Sequence, residues 1–297
     1  METLVQPDLK QDAIDERFQI LKYKVNEIEI EKIWKRFTEA GFEPVLIKGW
    51  AASRLYPEPF RRQFSDIDLM IAPEKFAAAE EFSKTLKQRL PVDLHNGARH
   101  LDALSFADLF ANSVEEKCNE TWIRVLRPED HLRILCIHWL TDGGAYKERL
   151  WDIYYAVKNR GENFDWERLL NSISARRRRW IVCTIGLAHK YLKLEIEDTP
   201  IASEAKKLPE WLIKTVEREW ESDVKMMPLE MFWGDKKMLW KQIKKRFPPN
   251  PIHAVVLEEG DFDAKIRLGY QLKNMFRRLL PSVRRNRESL FSRKKKL

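Results

Sequence analysis

The feature that most restricts how this chain folds is a repeated change of hydrophobic period between Pro44 and His95. Pro44-Val45-Leu46-Ile47-Lys48-Gly49 is a short apolar run closed by glycine, the pattern of a buried strand entering a turn. Residues 50–56 (WAASRLY) suit a short helix, which Pro57 and Pro59 break. Ser65 to Ala72 (SDIDLMIA) reads as a second strand. Pro73 to Leu90 has proline at its start, Glu74 in its first turn, and Phe76, Ala79, Phe82 and Leu86 along one face, which predicts an amphipathic helix. Pro91 to His95 (PVDLH) is a third strand. Strands and helices alternating this closely build a small sheet with helices packed on it.

The flanks are helical. Over 8–40, Ile14, Phe18, Leu21, Val25, Ile28, Ile33 and Phe37 recur at three- to five-residue steps, and Gly41 ends the pattern. Beyond residue 105 the periodicity is mostly helical: 128–140, 147–159 after Gly143-Gly144, a helix opened by Asp165-Trp166-Glu167, 176–193, segments of 203–245 broken near Pro209 and Pro228, and 261–280. Trp122, Trp139, Trp151, Trp166 and Trp180 fall at helical positions and are expected in the core. Pro248-Pro249-Asn250-Pro251 reads as a linker. The expected fold class is α+β, a small mixed β-sheet core with a larger, mostly α-helical part. The expected divisions are 1–41, 42–105, 106–200 and 201–297.

Composition narrows the function classes. A chain of 297 residues, 44% apolar with 11 Trp and 15 Phe, has enough apolar bulk for two packed units and is not disordered. Cys118, Cys136 and Cys183 share no CxxC spacing, which argues against a disulfide framework or a cysteine zinc site. The polar, acidic N-terminus has no signal-peptide pattern, and the apolar runs fall short of the ~20 residues a membrane span needs. A cytoplasmic location is expected. The net charge of +8 is concentrated: Arg267 to Leu297 hold eleven Lys/Arg and one Glu, so the rest of the chain sums to −2. A basic tail of this kind fits an anionic partner, RNA or a membrane surface, or is a solubilising end. Arg176 to Arg179 either contact phosphate or form a solvated, salt-bridged helix start.

The chemistry is concentrated between Lys48 and Asp68. On a strand, Asp66 and Asp68 project to one face while Ile67 and Leu69 face the core. Adjacent carboxylates repel unless a cation lies between them, and Mg²⁺ is typically held by one or two carboxylates plus substrate phosphates. An isolated DxD is as readily a solvated strand edge. Asp261-Phe262-Asp263 repeats the triplet without an upstream glycine-closed strand, and is read as a helix cap. Around Asp66 and Asp68 the context is richer. Gly49 lies at a strand-to-helix turn, Lys48 and Arg62 add positive charge, and the next strand carries Asp93 with His95 on the same face. Three carboxylates on neighbouring strands beside a glycine turn suit two-metal nucleotidyl transfer. His131 and His138, seven apart, share a helix face, and are read as an exposed and a partly buried structural histidine.

These residues resemble the nucleotidyltransferase superfamily that includes DNA polymerase β. Within it they resemble an uncharacterised bacterial branch whose pattern is a leucine-rich strand, Lys-Gly, a short helix ending in Tyr-Pro, an Arg, then Asp-hydrophobic-Asp-Leu. The matching residues are Leu46, Lys48, Gly49, Ala51, Leu55, Tyr56, Pro57, Arg62, Ser65, Asp66, Asp68 and Leu69. Asp93-Leu94-His95, Pro128-Glu129, His138, Leu150-Trp151-Asp152 and Asp165-Trp166-Glu167 come after them in order, so the resemblance spans about 15–195. It implies transfer of a nucleoside monophosphate from an NTP, ATP among the candidates, to a hydroxyl-bearing acceptor: small molecule, protein or RNA. Asp66, Asp68 and Asp93 would hold two Mg²⁺ ions, with Asp93 at the acceptor. Lys48, Gly49, Arg62 and Ser65 would bind the nucleotide. The chain departs from the superfamily after Gly49, where Trp50 replaces the usual Ser or Gly and either stacks on a base or packs inside. Two other readings stay open at this point: a degenerate module that binds a nucleotide, RNA or a partner without turnover, and a nucleotidyltransferase toxin acting on tRNA.

Overall fold

Five strands form one mixed sheet in the order β3-β2-β1-β5-β4. The computed structural model that shows it describes residues 9–58, 62–224, 226–227, 229–232 and 234–277. The chain divides into two units, Met1–Leu135 with Trp151–Ile173, and Cys136–Leu150 with Ser174–Leu297. The fold is α+β, a sheet-bearing core followed by a mostly helical remainder.

The first unit opens with the long helix α1 (Leu9–Glu39), then β1 (Val45–Ile47), the one-turn α2 (Gly49–Ser53), β2 (Ile67–Ile71), α3 (Phe76–Thr85), β3 (Val92–Asn96), α4 (Phe106–Ala111), β4 (Val114–Cys118) and β5 (Thr121–Val125). After these come α5 (Pro128–Thr141), α6 (Leu150–Lys158) and α7 (Trp166–Asn171). β2 runs antiparallel to β1 and parallel to β3, and Asp68 stands opposite Asp93 in that register. The alternation along β2 divides the sheet. Ile67, Leu69 and Ile71 join Leu46, Leu94, Ile123 and Val125 in a core closed by Ile30, Ile33, Trp34 and Phe37 of α1. Each such buried side chain contributes ~1.5–3 kcal/mol relative to exposure. Asp68 and Met70 therefore lie on the opposite face from α1. A second set of charges ties the later helices in: Arg133 Nε donates to Asp102 at 2.9 Å, and Arg168 reaches Asp130 at 2.8 Å and Asp108 at 2.9 Å.

The hairpin β4–β5 lies in a stretch whose periodicity reads as mostly helical. It places Trp122 on a strand with 60% of its surface exposed, not in the core. Trp139 and Trp180 are buried as expected, whereas Trp151 is 37% exposed. One histidine assignment changes: His131 is buried rather than exposed, whereas His138 is partly buried as expected, with Nδ1 3.9 Å from Asp142. Burial and the positive charges of Arg54 and Arg62 push the His131 pKa down to about 3, so it stays neutral.

The second unit contains α8 (Ala175–Leu192), α9 (Ala202–Ala205), α10 (Glu210–Trp220), α11 (Lys236–Arg246), α12 (Pro251–Leu257) and a helix over 268–277. The proline-rich stretch is no loose linker: the Asn250 side chain caps α12 and donates to the Gly143 carbonyl at 3.0 Å. Three arginines of the run at the start of α8 are paired internally, Arg177 to Glu259 and Arg178 to Glu204 at 2.5 Å, and Arg179 to Asp263 at 3.1 Å, while Arg176 is exposed. The second DxD does not cap a helix; Asp261 Oδ1 accepts the Asp263 N–H and closes a turn. The basic tail beyond Arg277 lies outside the described residues. No helix among the described residues is long and apolar enough to cross a membrane.

Candidate active site

The site is built where β1 ends and β2 and β3 run side by side. Lys48 leaves β1 with φ 54 and ψ −131, a region that favours glycine, and turns the chain directly into α2. Gly49 itself has no positive φ. A Cβ there would make ordinary contacts, 3.9 Å from Asp68 Oδ2 and 3.5 Å from the Asp66 carbonyl, so the glycine leaves the space of one methyl group open beside Asp68. Trp50 packs inside. It is buried, its indole N–H donates to Glu27 of α1 at 3.0 Å, and it offers no ring face to a nucleotide.

Asp68 is buried on β2. Its Oδ1 accepts from Lys48 Nζ at 2.5 Å and from His95 Nε2 at 3.0 Å. The same nitrogen lies 3.1 Å from Asp93 Oδ2, so one buried imidazole bridges two carboxylates on adjacent parallel strands. Burial opposes ionisation of Asp68, but the His95 and Lys48 hydrogen bonds hold its pKa below the ordinary value. The His95 bond likewise lowers Asp93, whose side chain is 51% exposed. Burial disfavours the imidazolium, yet the two carboxylates carry the His95 pKa above its ordinary value. Among the described residues His95 Nδ1 has no hydrogen-bond partner, so the ring is fixed from its Nε2 side.

The other expected site residues stand apart from this group. Pairing of β2 begins at Ile67, whose N–H donates to the Pro91 carbonyl at 2.9 Å. Asp66 lies in a bend before the strand and is exposed, as is Ser65. Asn26 of α1 fixes this approach by donating to the Phe64 carbonyl at 3.0 Å. Arg62 Nε meets Asp152 Oδ1 at 2.9 Å, and the Tyr56 hydroxyl donates to the same oxygen at 2.7 Å. Asp152 thus holds two points of the connection between α2 and β2, Tyr56 and Arg62.

Asp68, Asp93 and His95 each offer one ligand atom, all within 4.8 Å of one another, the one such group among the described residues. Two carboxylate oxygens and an imidazole nitrogen fit a divalent cation. His95 was visible in sequence only as a neighbour of Asp93. Its reach to Asp68 depends on the β2–β3 register, which no local pattern encodes.

Comparison with known proteins bears on this stretch. Residues 15–86 match the family described as uncharacterised nucleotidyltransferase. No curated protein matches. The chain is similar to an antigenic nucleotidyltransferase-like protein from Paracoccidioides brasiliensis, at 14% identity and a TM-score of 0.42 over 61% of this chain and 92% of that one. Residues 15–86, which carry Lys48, Gly49, Asp66 and Asp68, are thus the stretch of the chain that is similar to the nucleotidyltransferase family.

Proposed function

We propose that the chain moves a nucleoside monophosphate from an NTP to a hydroxyl-bearing acceptor with the help of Mg²⁺. The observation that carries this reading is the Asp68–Asp93–His95 group, formed across β2 and β3 beside the segment that matches the family. Asp68 and Asp93 would hold the metal, with Asp66 at the open end of β2 as a further carboxylate and His95 as a nitrogen donor. Mg²⁺ bound there supplies charge neutralisation to the triphosphate and to the oxygens that gain charge during transfer. Lys48, at the Asp68 carboxylate, adds a positive charge for the phosphates. Gly49 leaves room beside that carboxylate. Ser65 and Arg62 lie on the approach to β2, where the triphosphate would pass. Asp93, the half-exposed carboxylate, would accept the proton of the acceptor hydroxyl.

The test is incubation with each α-³²P-labelled NTP and Mg²⁺, with and without cell extract, against Asp68→Asn and Asp93→Asn. Label on a metabolite, protein or RNA with the wild type alone supports the reading, and its carrier names the acceptor; label on tRNA together with growth arrest on expression identifies a toxin. No label and no Mg²⁺-dependent nucleotide binding overturns it. One observation favours a second reading, a non-catalytic nucleotide-binding module: Asp66 stands outside the ligand group, leaving two carboxylates where three were expected. Nucleotide binding that persists without Mg²⁺ and yields no labelled product would establish that module.

A further inference from the structure

We propose that the second unit carries a binding groove for single-stranded nucleic acid, a function separate from the nucleotidyl-transfer site. A groove of about 810 Å³ is lined by α10 and α11. Lys214 and Arg218 stand one helical turn apart on α10, Lys241, Lys244 and Lys245 line it from α11, and Arg267 adds a sixth cation. One carboxylate shares the lining, Glu219, and Lys245 Nζ already meets it at 2.9 Å. Lys214 pairs with Glu210 at 2.5 Å, but both side chains are more than 70% exposed, where pairing is weak and screened. Arg218 and Lys241 are exposed and make no ion pair among the described residues. The helix that carries three of these six cations, α11, has no acidic residue within it. A concave surface with this imbalance concentrates positive potential and draws a polyanion.

Two further features distinguish a nucleic-acid strand from other polyanions. Trp211 lines the groove with its ring held in place: the indole N–H donates to the Phe262 carbonyl at 2.8 Å, and the ring meets Phe262 edge-on with centroids 5.3 Å apart. The Arg267 guanidinium lies 4.9 Å from the Trp211 centroid. Fixed aromatic rings beside Arg and Lys are the elements on which bases stack while cations track the backbone. The groove adjoins a second cavity of about 420 Å³, the two sharing Glu219, Ser222, Val224, Lys245, Pro249 and Asn250 in their linings. Trp220 and Tyr146 line that cavity beside Asp142 and Glu148, whose charges Lys147 and Arg246 in the same lining offset, and Trp220 is fixed by its N–H bond to the Gly144 carbonyl at 2.8 Å. An aromatic-walled recess adjoining a basic channel suits a base turned out of an unpaired strand, and suits neither a rigid duplex nor a flat lipid surface. Arg177, Arg178 and Arg179 do not compete for this role, because their ion pairs to Glu259, Glu204 and Asp263 are internal.

The experiment uses the full chain, so that the basic C-terminal tail contributes equally to every protein compared. Binding of a short fluorescein-labelled oligouridylate is monitored by anisotropy across a salt series, for the wild type and for the double variant Arg218→Gln/Lys241→Gln. Both positions are exposed, so the variant is expected to fold, which circular dichroism checks. The expected result is weaker binding and a logarithmic salt dependence shallower by about 1.4, roughly 0.7 for each lost phosphate contact on a single strand. The same variant retains wild-type NTP binding, so failure at the groove and failure at the transfer site are told apart. An unchanged affinity and salt slope overturns the proposal. So does an equal loss on a duplex of the same length, and so does a loss confined to phosphatidylserine vesicles, which would assign the groove to a membrane surface.

Discussion

Asp68→Ala is expected to destabilise the metal-free chain far more than Asp93→Ala, although both remove a carboxylate from the same imidazole. The Asp68 side chain is 5% exposed and faces an ammonium, Lys48, that is 11% exposed, and a ring, His95, that is 5% exposed. Truncation strands the enclosed Lys48 ammonium and leaves the buried His95 ring with Asp93 as its one remaining carboxylate. Removing one partner of a buried ion pair costs about 3–5 kcal/mol, because the surviving charge keeps its desolvation penalty. Asp93 is 51% exposed, and water replaces it, so its loss costs at most ~1 kcal/mol. The assay is urea unfolding of chelator-treated protein at neutral pH, monitored by circular dichroism. With a denaturant slope of about 3 kcal/mol per molar, Asp68→Ala lowers the midpoint by ~1–1.7 M and Asp93→Ala by ~0.3 M. Adding Lys48→Met to Asp68→Ala removes the stranded ammonium without altering the backbone demand at 48, and should recover much of the loss. Equal shifts for the two single variants, or no recovery in the double variant, would refute the reasoning. Asp68→Asn, not Asp68→Ala, is therefore the proper inactive control.

The metal-free chain should be most stable between the ordinary values of Asp68 and His95, 3.8 and 6.5. The lowered Asp68 pKa contributes stability above 3.8 that is lost as pH falls through its folded value; the raised His95 pKa contributes stability fully present below 6.5 that is lost as pH rises through its folded value. Urea midpoints across pH check this, and an alkaline decline that survives in His95→Gln would contradict it. In the second unit, Gly186→Ala places a Cβ 2.1 Å from the Ala205 carbonyl oxygen, so α8 and α9 must part. A loss of at least ~1–3 kcal/mol is expected in thermal unfolding, and an unchanged Tm would show that the contact yields easily.

The strands that carry the site were legible because each signals itself locally: apolar runs bounded by Gly or Pro, with acids at alternate positions. The i, i+2 rule placed Asp93 and His95 on one face, and Asp68 on the strand beside them. It failed for Asp66, because strand pairing starts only at Ile67, after Asn26 of α1 has fixed the Phe64 carbonyl. The positive φ at the turn after β1 falls on Lys48 and not on the glycine after it, which no local pattern signals. The outer hairpin was illegible for a different reason. β4 reads Val-Glu-Glu-Lys-Cys, an edge strand charged along its length, as edges are when they avoid pairing with other chains, so it has no apolar alternation. The usable signal was in the turn: Cys118 faces Thr121, leaving a two-residue loop in which Asn119 has φ 51, a conformation asparagine tolerates. The basic groove escaped notice because its cations come from α10, α11 and Arg267, segments that no single charge run joins.

Lys48 is a single position that answers two demands at once. Its torsion angles call for glycine, and holding a side-chain-bearing residue there costs about 1–3 kcal/mol. Its ammonium is what meets Asp68. Glycine would relax the backbone and discard the charge; arginine would keep a charge and the strain but bring a planar group into a space shaped for a point cation. No replacement satisfies both, so tolerance to substitution at this position is a direct reading of which demand the protein depends on.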